Sequence, residues 1–229
     1  MNHHEVQAIA KDTIALVRDI VKPGMSVADT ARAAEDYMHG RGITSFWWDN
    51  VGAYAFAGDD TTLSEEALGY VPSERKLAAD DILTMDLSPS DGDIWGDYAR
   101  TIILEHGRVV QNAEDIENSE WRDGLLTEEA LHRKLTETAR PDMTFEELYK
   151  VMDAEVRSLG YRNLDFLGNF GHSITTRDSD RIFIEKGNTS KLSSVKYFTF
   201  EPHISLPGGL YGYKMENIYY FADGRVREL

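Results

Sequence analysis

Apolar residues along this chain collect into strand-like and helix-like runs, and several of the strand-like runs carry an acid that packing does not explain. Ile82, Leu83, Thr84 and Met85 lead into Asp86, and Asp97 leads into Tyr98, Ala99, Arg100, Thr101, Ile102, Ile103 and Leu104, a run of strong β-propensity. Further on, "YFTFEPHISL" sets Glu201 among strand formers and "YGYKMENIYYF" does the same for Glu216. An acid is almost never fully buried unless it is paired or bound to a metal, so each of these positions calls for a positive partner.

The helix-like runs show a repeat. "PGMSVADTARAAEDYMHGRG" (Pro23 to Gly42) and "PDMTFEELYKVMDAEVRSLG" (Pro141 to Gly160) share Pro, Met and a hydroxyl residue at the same offsets, and in both Pro to Gly spans 19 positions. Each opens with a capping-box pattern, Ser26 with Asp29 and Thr144 with Glu147, and each ends at a Gly suited to the left-handed residue after a helix. A helix is expected before each copy, over Glu5 to Val21 and about Thr127 to Ala139, with strand-rich sequence after each. The chain therefore reads as a single α+β domain over residues 1–229, duplicated as halves of about 5–115 and 125–225. Each half supplies two strand-borne carboxylates to a site between them.

Composition narrows the chemistry. The 229 residues, 41% of them hydrophobic, suffice for one sizeable core, and no run approaches the length of a membrane span. The opening "MNHHEVQAIAKD" has neither a basic nor an apolar leader segment, so a cytoplasmic protein is expected. There is no cysteine, which leaves oxygen and nitrogen as metal donors. A net charge of −16 repels nucleic acid and anionic membranes as partners.

Asp86, Asp97, Glu201 and Glu216, with His172 in "NFGHSIT", make a donor set suited to a pair of divalent cations that clamp and activate a water. Their order, the eleven positions from one aspartate to the other, and the pairs Gly171-His172, Glu201-Pro202 and Glu216-Asn217 resemble the pita-bread metallopeptidases: methionine aminopeptidase, prolidase, aminopeptidase P and creatinase. The resemblance runs from Val6 to Phe221 and implies a pita-bread fold and two divalent ions of Mn, Fe, Co or Zn. It implies that Asp86 binds one metal, that Asp97 and Glu216 bridge both, and that His172 with Glu201 completes the other site. A short peptide or small-molecule substrate and a homodimer follow from the same resemblance. Lys214 stands where the prolidase branch often carries Arg, and a single domain without the extra N-terminal domain of that branch is expected.

The chain departs from the family at its auxiliary histidines. Gly69, in Leu68-Gly69-Tyr70, stands where the prolidase branch has one; Ser179 and Gly168 stand where two more are expected. In an extended strand residues i and i+2 share a face, so His203 is expected beside Glu201 and Lys214 beside Glu216. Glu201, His203 and Lys214 are accordingly the candidate catalytic groups, with Glu201 as proton carrier. "FWWDNVGAY" places Trp47, Trp48 and Asn50 near the expected pocket, and Tyr70 joins them as a candidate substrate contact. His106 and His132 read as surface, and His3 and His4 as a frayed terminus. These residues suit a two-metal hydrolase of an amide or related C–N bond, of which a Xaa-Pro dipeptidase is the nearest ordinary form. A redox or lyase enzyme using Fe or Mn on the same fold is the alternative, and a non-catalytic binding module ranks last.

Overall fold

Asn2 opens the first helix, α1 (His3–Ile20), with a reciprocal cap: its side chain accepts from the Glu5 amide at 3.1 Å, and the Glu5 carboxylate accepts from the Asn2 amide at 2.7 Å. The terminus is therefore not frayed as expected. His3 and His4 lie in the first turn, their rings against Tyr197 at 4.7 Å and Tyr220 at 6.2 Å. The computed structural model describes residues 1–64 and 69–229, so Leu68 lies outside the described residues.

Helix α2 (Val27–Gly40) packs on α1 and is capped by Ser26, whose Oγ accepts from the Asp29 amide at 3.0 Å. The Asp29 carboxylate accepts from Arg32 at 3.0 Å instead of reaching back, so only half of the expected box forms. In the second half α3 (Ser119–Thr138) precedes α4 (Phe145–Ser158), where Thr144 and Glu147 make the full box. Gly42 and Gly160 follow their helices at φ +97° and +87°. The two N-cap residues occupy matching places: Ser26 bridges to Lys76 and Thr144 to Lys191, both antiparallel. Helix α3 begins at Ser119, eight residues before the expected Thr127, because Asn118 caps it and Trp121 is already buried against the core.

The first-half strands are β1 (Ser45–Phe46), β2 (Ala53–Ala57), β3 (Asp81–Leu87), β4 (Pro89–Asp91), β5 (Ile94–Trp95), β6 (Tyr98–Glu105) and β7 (Arg108–Val109). They form an antiparallel sheet β2-β3-β6-β7 and a small sheet β1-β4-β5. Along β3 the pleat sends Leu83, Met85 and Leu87 into the core under α1 and α2, and Thr84 and Asp86 to a cavity on the opposite face. The second-half strands are β8 (Arg162–Asn163), β9 (Phe198–Phe200), β10 (His203–Ser205), β11 (Tyr213–Lys214), β12 (Asn217–Ala222) and β13 (Arg225–Glu228), paired as β9-β12-β13 and β8-β10-β11.

The halves meet where β6 lies along residues 214–217. The Glu216 amide donates to the Ala99 carbonyl at 3.0 Å, and the Lys214 amide donates to Thr101 Oγ1 at 2.8 Å. Arg100, buried at this seam, donates to the Ala99 and Glu216 carbonyls at 2.7 and 2.8 Å and to Asn217 Oδ1 at 2.7 Å. No helix among the described residues is long and apolar enough to cross a membrane.

His132 is a correction to the sequence reading. It is buried on the inner face of α3; Nε2 donates to the Met215 carbonyl at 3.0 Å, and Nδ1 accepts from the Tyr219 hydroxyl at 2.7 Å. His106 is exposed, as expected. Burial pushes the His132 imidazole down to about 3, chiefly by desolvation with Arg100 adding to it. A base whose folded pKa lies below its unfolded value of about 6.5 contributes stability that is full above 6.5 and is lost as pH falls toward 3, at ~1.4 kcal/mol per pH unit. His132→Leu is expected to cost about 1–3 kcal/mol at pH 7, since it strands the Met215 carbonyl. It should also flatten the loss of stability between pH 6.5 and 4, and denaturant titrations at several pH values check both; an acid limb as steep as the wild type's would refute the assignment.

Candidate metal centre

Each candidate donor is fixed by its own local structure. Asp86 projects from β3 at the point where its backbone pairs with Ala99, and Asp97 immediately precedes β6. Buried Gln7 of α1 locks the Asp97 backbone, accepting from its amide at 2.9 Å and donating to its carbonyl at 2.7 Å. His172 follows Gly171, which sits at φ +138° with its α-carbon so close to β9 that a Cβ would stand 2.4 Å from the Thr199 carbonyl oxygen. Only glycine fits there. Glu201 directly follows β9, and Glu216 lies between β11 and β12 on the seam with Ala99.

The structure brings Asp86, Asp97, His172, Glu201 and Glu216 together. Donor atoms of Asp97, His172 and Glu216 lie within 4.8 Å of one another, as do those of Asp86, Glu201 and Glu216. Glu216 is thus the carboxylate common to both groups. Asp97 falls in one, and Glu201 falls with Asp86, although its Oε1 is also 3.6 Å from His172 Nε2. The His172 Nδ1–H donates to the Ser173 carbonyl at 3.1 Å, which leaves the Nε2 lone pair facing Asp97 Oδ2 at 3.5 Å. A second hydrogen bond that fixes the tautomer is a regular accompaniment of histidine ligation. Burial pushes this imidazole down to about 3, so it is neutral at pH 7.

Asp97 Oδ2 and both Glu216 carboxylate oxygens are buried and have no hydrogen-bond partner among the described residues. Asp97 and Glu216 are raised well above the usual carboxylate range, first by desolvation and then by each other's neighbouring acids. Orphaned acceptors around a bare imidazole nitrogen are a donor set that a divalent cation satisfies, and the oxygen and nitrogen atoms fit Mn, Fe, Co or Zn. Lys214, on β11, brings its Nζ against Asp86 and to 3.4 Å from Glu201.

Asp86, Asp97, His172, Glu201 and Lys214 line a cavity of about 140 Å³. Trp47 and Trp48 line it; Trp47 is stacked on Trp95 at 4.8 Å and donates from Nε1 to the Gly96 carbonyl at 3.1 Å. His203 also lines it, with Nε2–H committed to the Thr61 carbonyl at 2.8 Å. Asn50 and Tyr70 are not on the wall. Asn50 is exposed in a left-handed turn at φ +59°, and the Tyr70 hydroxyl is tied to the Ala55 amide and carbonyl at 2.7 and 3.0 Å, behind Tyr54 and Phe56. Among the described residues, His172 and His203 are the imidazoles at the cavity; Gly69, Gly168 and Ser179 lie off it. Sequence reasoning missed Arg181, whose guanidinium lies over Trp48 at 4.3 Å and Trp47 at 5.1 Å and pairs with Asp178.

A mixed fold of this kind, with acids and one imidazole converging from both halves, defines a pita-bread protein with a site that could hold metal. The chain belongs to metallopeptidase family M24, whose model matches residues 2–223. Among solved structures it is similar to the X-Pro aminopeptidase of Thermotoga maritima (16% identity, TM-score 0.81) and the prolidase of Pyrococcus furiosus (19%, 0.81), covering 99% of this chain in both cases. The dipeptidase PepE of Mycobacterium ulcerans (18%, 0.77) is likewise matched over 99% of this chain. The chain spans 59%, 61% and 56% of the length of those three. No curated protein matches the sequence.

Ligation of Asp97 and Glu216 relieves their repulsion only in the folded state, so divalent cations should stabilise chelated protein by RT ln(1 + [L]/Kd), about 2.7 kcal/mol at a hundredfold excess over Kd. Thermal melting with and without Mn, Co, Zn or Fe measures this. The shift should vanish in Asp97→Ala and Glu216→Ala, and a melting curve insensitive to all four ions would exclude the site.

Proposed function

We propose that this chain is a metal-dependent hydrolase that cleaves an amide or related C–N bond in a short peptide or a compact small molecule. The observation that carries the reading is the pair of buried carboxylates with unpartnered oxygens, Asp97 and Glu216, beside His172 Nε2, with Asp97 and His172 lining a cavity of about 140 Å³ that Trp47, Trp48 and Arg181 also line. A divalent cation held there supplies Lewis-acid polarisation and an acidified water.

The chain's own residues provide the rest. Glu201 faces the same cavity with its carboxyl raised by burial, which moves it toward the range where a group can both accept and return a proton. Lys214 beside it offsets part of that rise. Trp47 and Trp48 offer flat apolar surface for a substrate, and Arg181 sets a positive charge next to them. The X-Pro aminopeptidase and prolidase neighbours supply the ordinary form of this reading. A second reading, redox or lyase chemistry with Fe or Mn, is favoured by one observation: Gly69, Gly168 and Ser179 leave the cavity without auxiliary imidazoles beyond His203 among the described residues.

General acid–base help is typically worth ~10²–10⁴ in rate. Metal-loaded protein is therefore expected to cleave Xaa-Pro and Met-Xaa dipeptides poorly and to act on a smaller amide, with Glu201→Gln lowering that turnover by ~10²–10⁴ while metal content holds. A panel of dipeptides and simple amides, run beside a dioxygen electrode, decides between the readings. Oxygen uptake without hydrolysis would replace the first with the second, and fast dipeptide cleavage would show an ordinary peptidase.

A further inference from the structure

The two donor groups that share Glu216 differ in what already faces them. In the first, Asp97 Oδ2 and both Glu216 oxygens lack a hydrogen-bond partner among the described residues, and the His172 Nε2 lone pair is bare. In the second, the Lys214 ammonium touches Asp86 and lies 3.4 Å from Glu201, so both of those carboxylates have a cation beside them. The backbone carrying Lys214 is locked to Thr101 through its amide at 2.8 Å and its carbonyl at 3.0 Å, which aims the side chain into the group.

A lysine ammonium is a compact point charge with three donors, whereas a guanidinium is a planar fork. As a compact charge, the ammonium can sit between two carboxylates much as a small cation does. A divalent ion between Asp86 and Glu201 would stand within a few ångströms of that ammonium and be repelled by it. We propose that this chain binds one divalent cation, through Asp97, His172 and Glu216, and that the Lys214 ammonium takes the place of a second between Asp86 and Glu201. The proposal rests on the metal-dependent reading above. It leaves Glu201 a free carboxyl group beside the metal, available for proton transfer, and it makes Asp86 the anchor of Lys214.

The test is metal stoichiometry, with intact protein loaded with Mn²⁺, freed of excess ion, and measured by elemental analysis and electron paramagnetic resonance. Wild type should carry one equivalent with the spectrum of an isolated Mn²⁺. Lys214→Met, similar in length and without charge, should take up a second equivalent and show an exchange-coupled pair. Asp86→Asn, which keeps the volume of the side chain, should still hold one equivalent, so the proposal remains testable if the Lys214 variant does not fold. Two coupled equivalents in wild type, a Lys214→Met protein that stays at one, or loss of the metal in Asp86→Asn would each overturn the proposal while leaving metal-dependent hydrolysis standing. No bound Mn²⁺ in folded wild type would overturn both.

Discussion

Four carboxylates, Asp86, Asp97, Glu201 and Glu216, converging inside one folded chain are the constraint around which this structure is arranged. Desolvation and mutual repulsion both oppose their ionisation, and the two most deeply buried, Asp97 and Glu216, are raised well above the usual range. A fold can hold such a group in its ionised form only if positive charge is provided. Lys214 supplies it on one side. On the other, orphaned oxygens and a neutral imidazole leave a set of donors that hydrogen bonding within the described residues does not satisfy.

Placing those charges depends on the seam between the halves. Asp86 and Asp97 belong to the first half, His172, Glu201, Lys214 and Glu216 to the second, and they meet because residues 214–217 run along β6. Arg100 fixes that seam by donating to carbonyls on both sides of it, and His132 steadies it from α3 through the Met215 carbonyl. Neither side chain lines the cavity. Their contribution is positional: a shift of the 214–217 segment would separate Glu216 from Asp97 and Lys214 from Asp86 together.

What was legible in the sequence follows the same logic. An acid inside an apolar run conflicts with its surroundings, and that conflict exposed Asp86, Asp97, Glu201 and Glu216 without any knowledge of the fold. His132 shows the opposite case. Glu128, Leu131, His132 and Leu135 occupy buried positions three and four apart on α3, so helical periodicity carried the signal, but two of the four are polar, which makes this face read as solvated. Asn50 parts from its neighbours Trp47 and Trp48 because Asp49 and Asn50, residues that tolerate positive φ, turn the chain at +44° and +59°. Arg181 sits in irregular backbone between β8 and β9, where no period exists to say which side chains face inward.

Arg181 changes what the cavity can hold. Its guanidinium is buried enough for desolvation to lower its pKa, yet it stays charged between Asp178 and the faces of Trp47 and Trp48. A cation over an aromatic face is worth about 2 kcal/mol or more when desolvated, so the two tryptophans help to hold the guanidinium at the wall. The cavity is thereby lined by Glu201 and Asp86 with Lys214 between them, and by the Arg181 guanidinium over the faces of Trp47 and Trp48. A molecule with one end at the acids and a polar or anionic end at Arg181 would satisfy both surfaces.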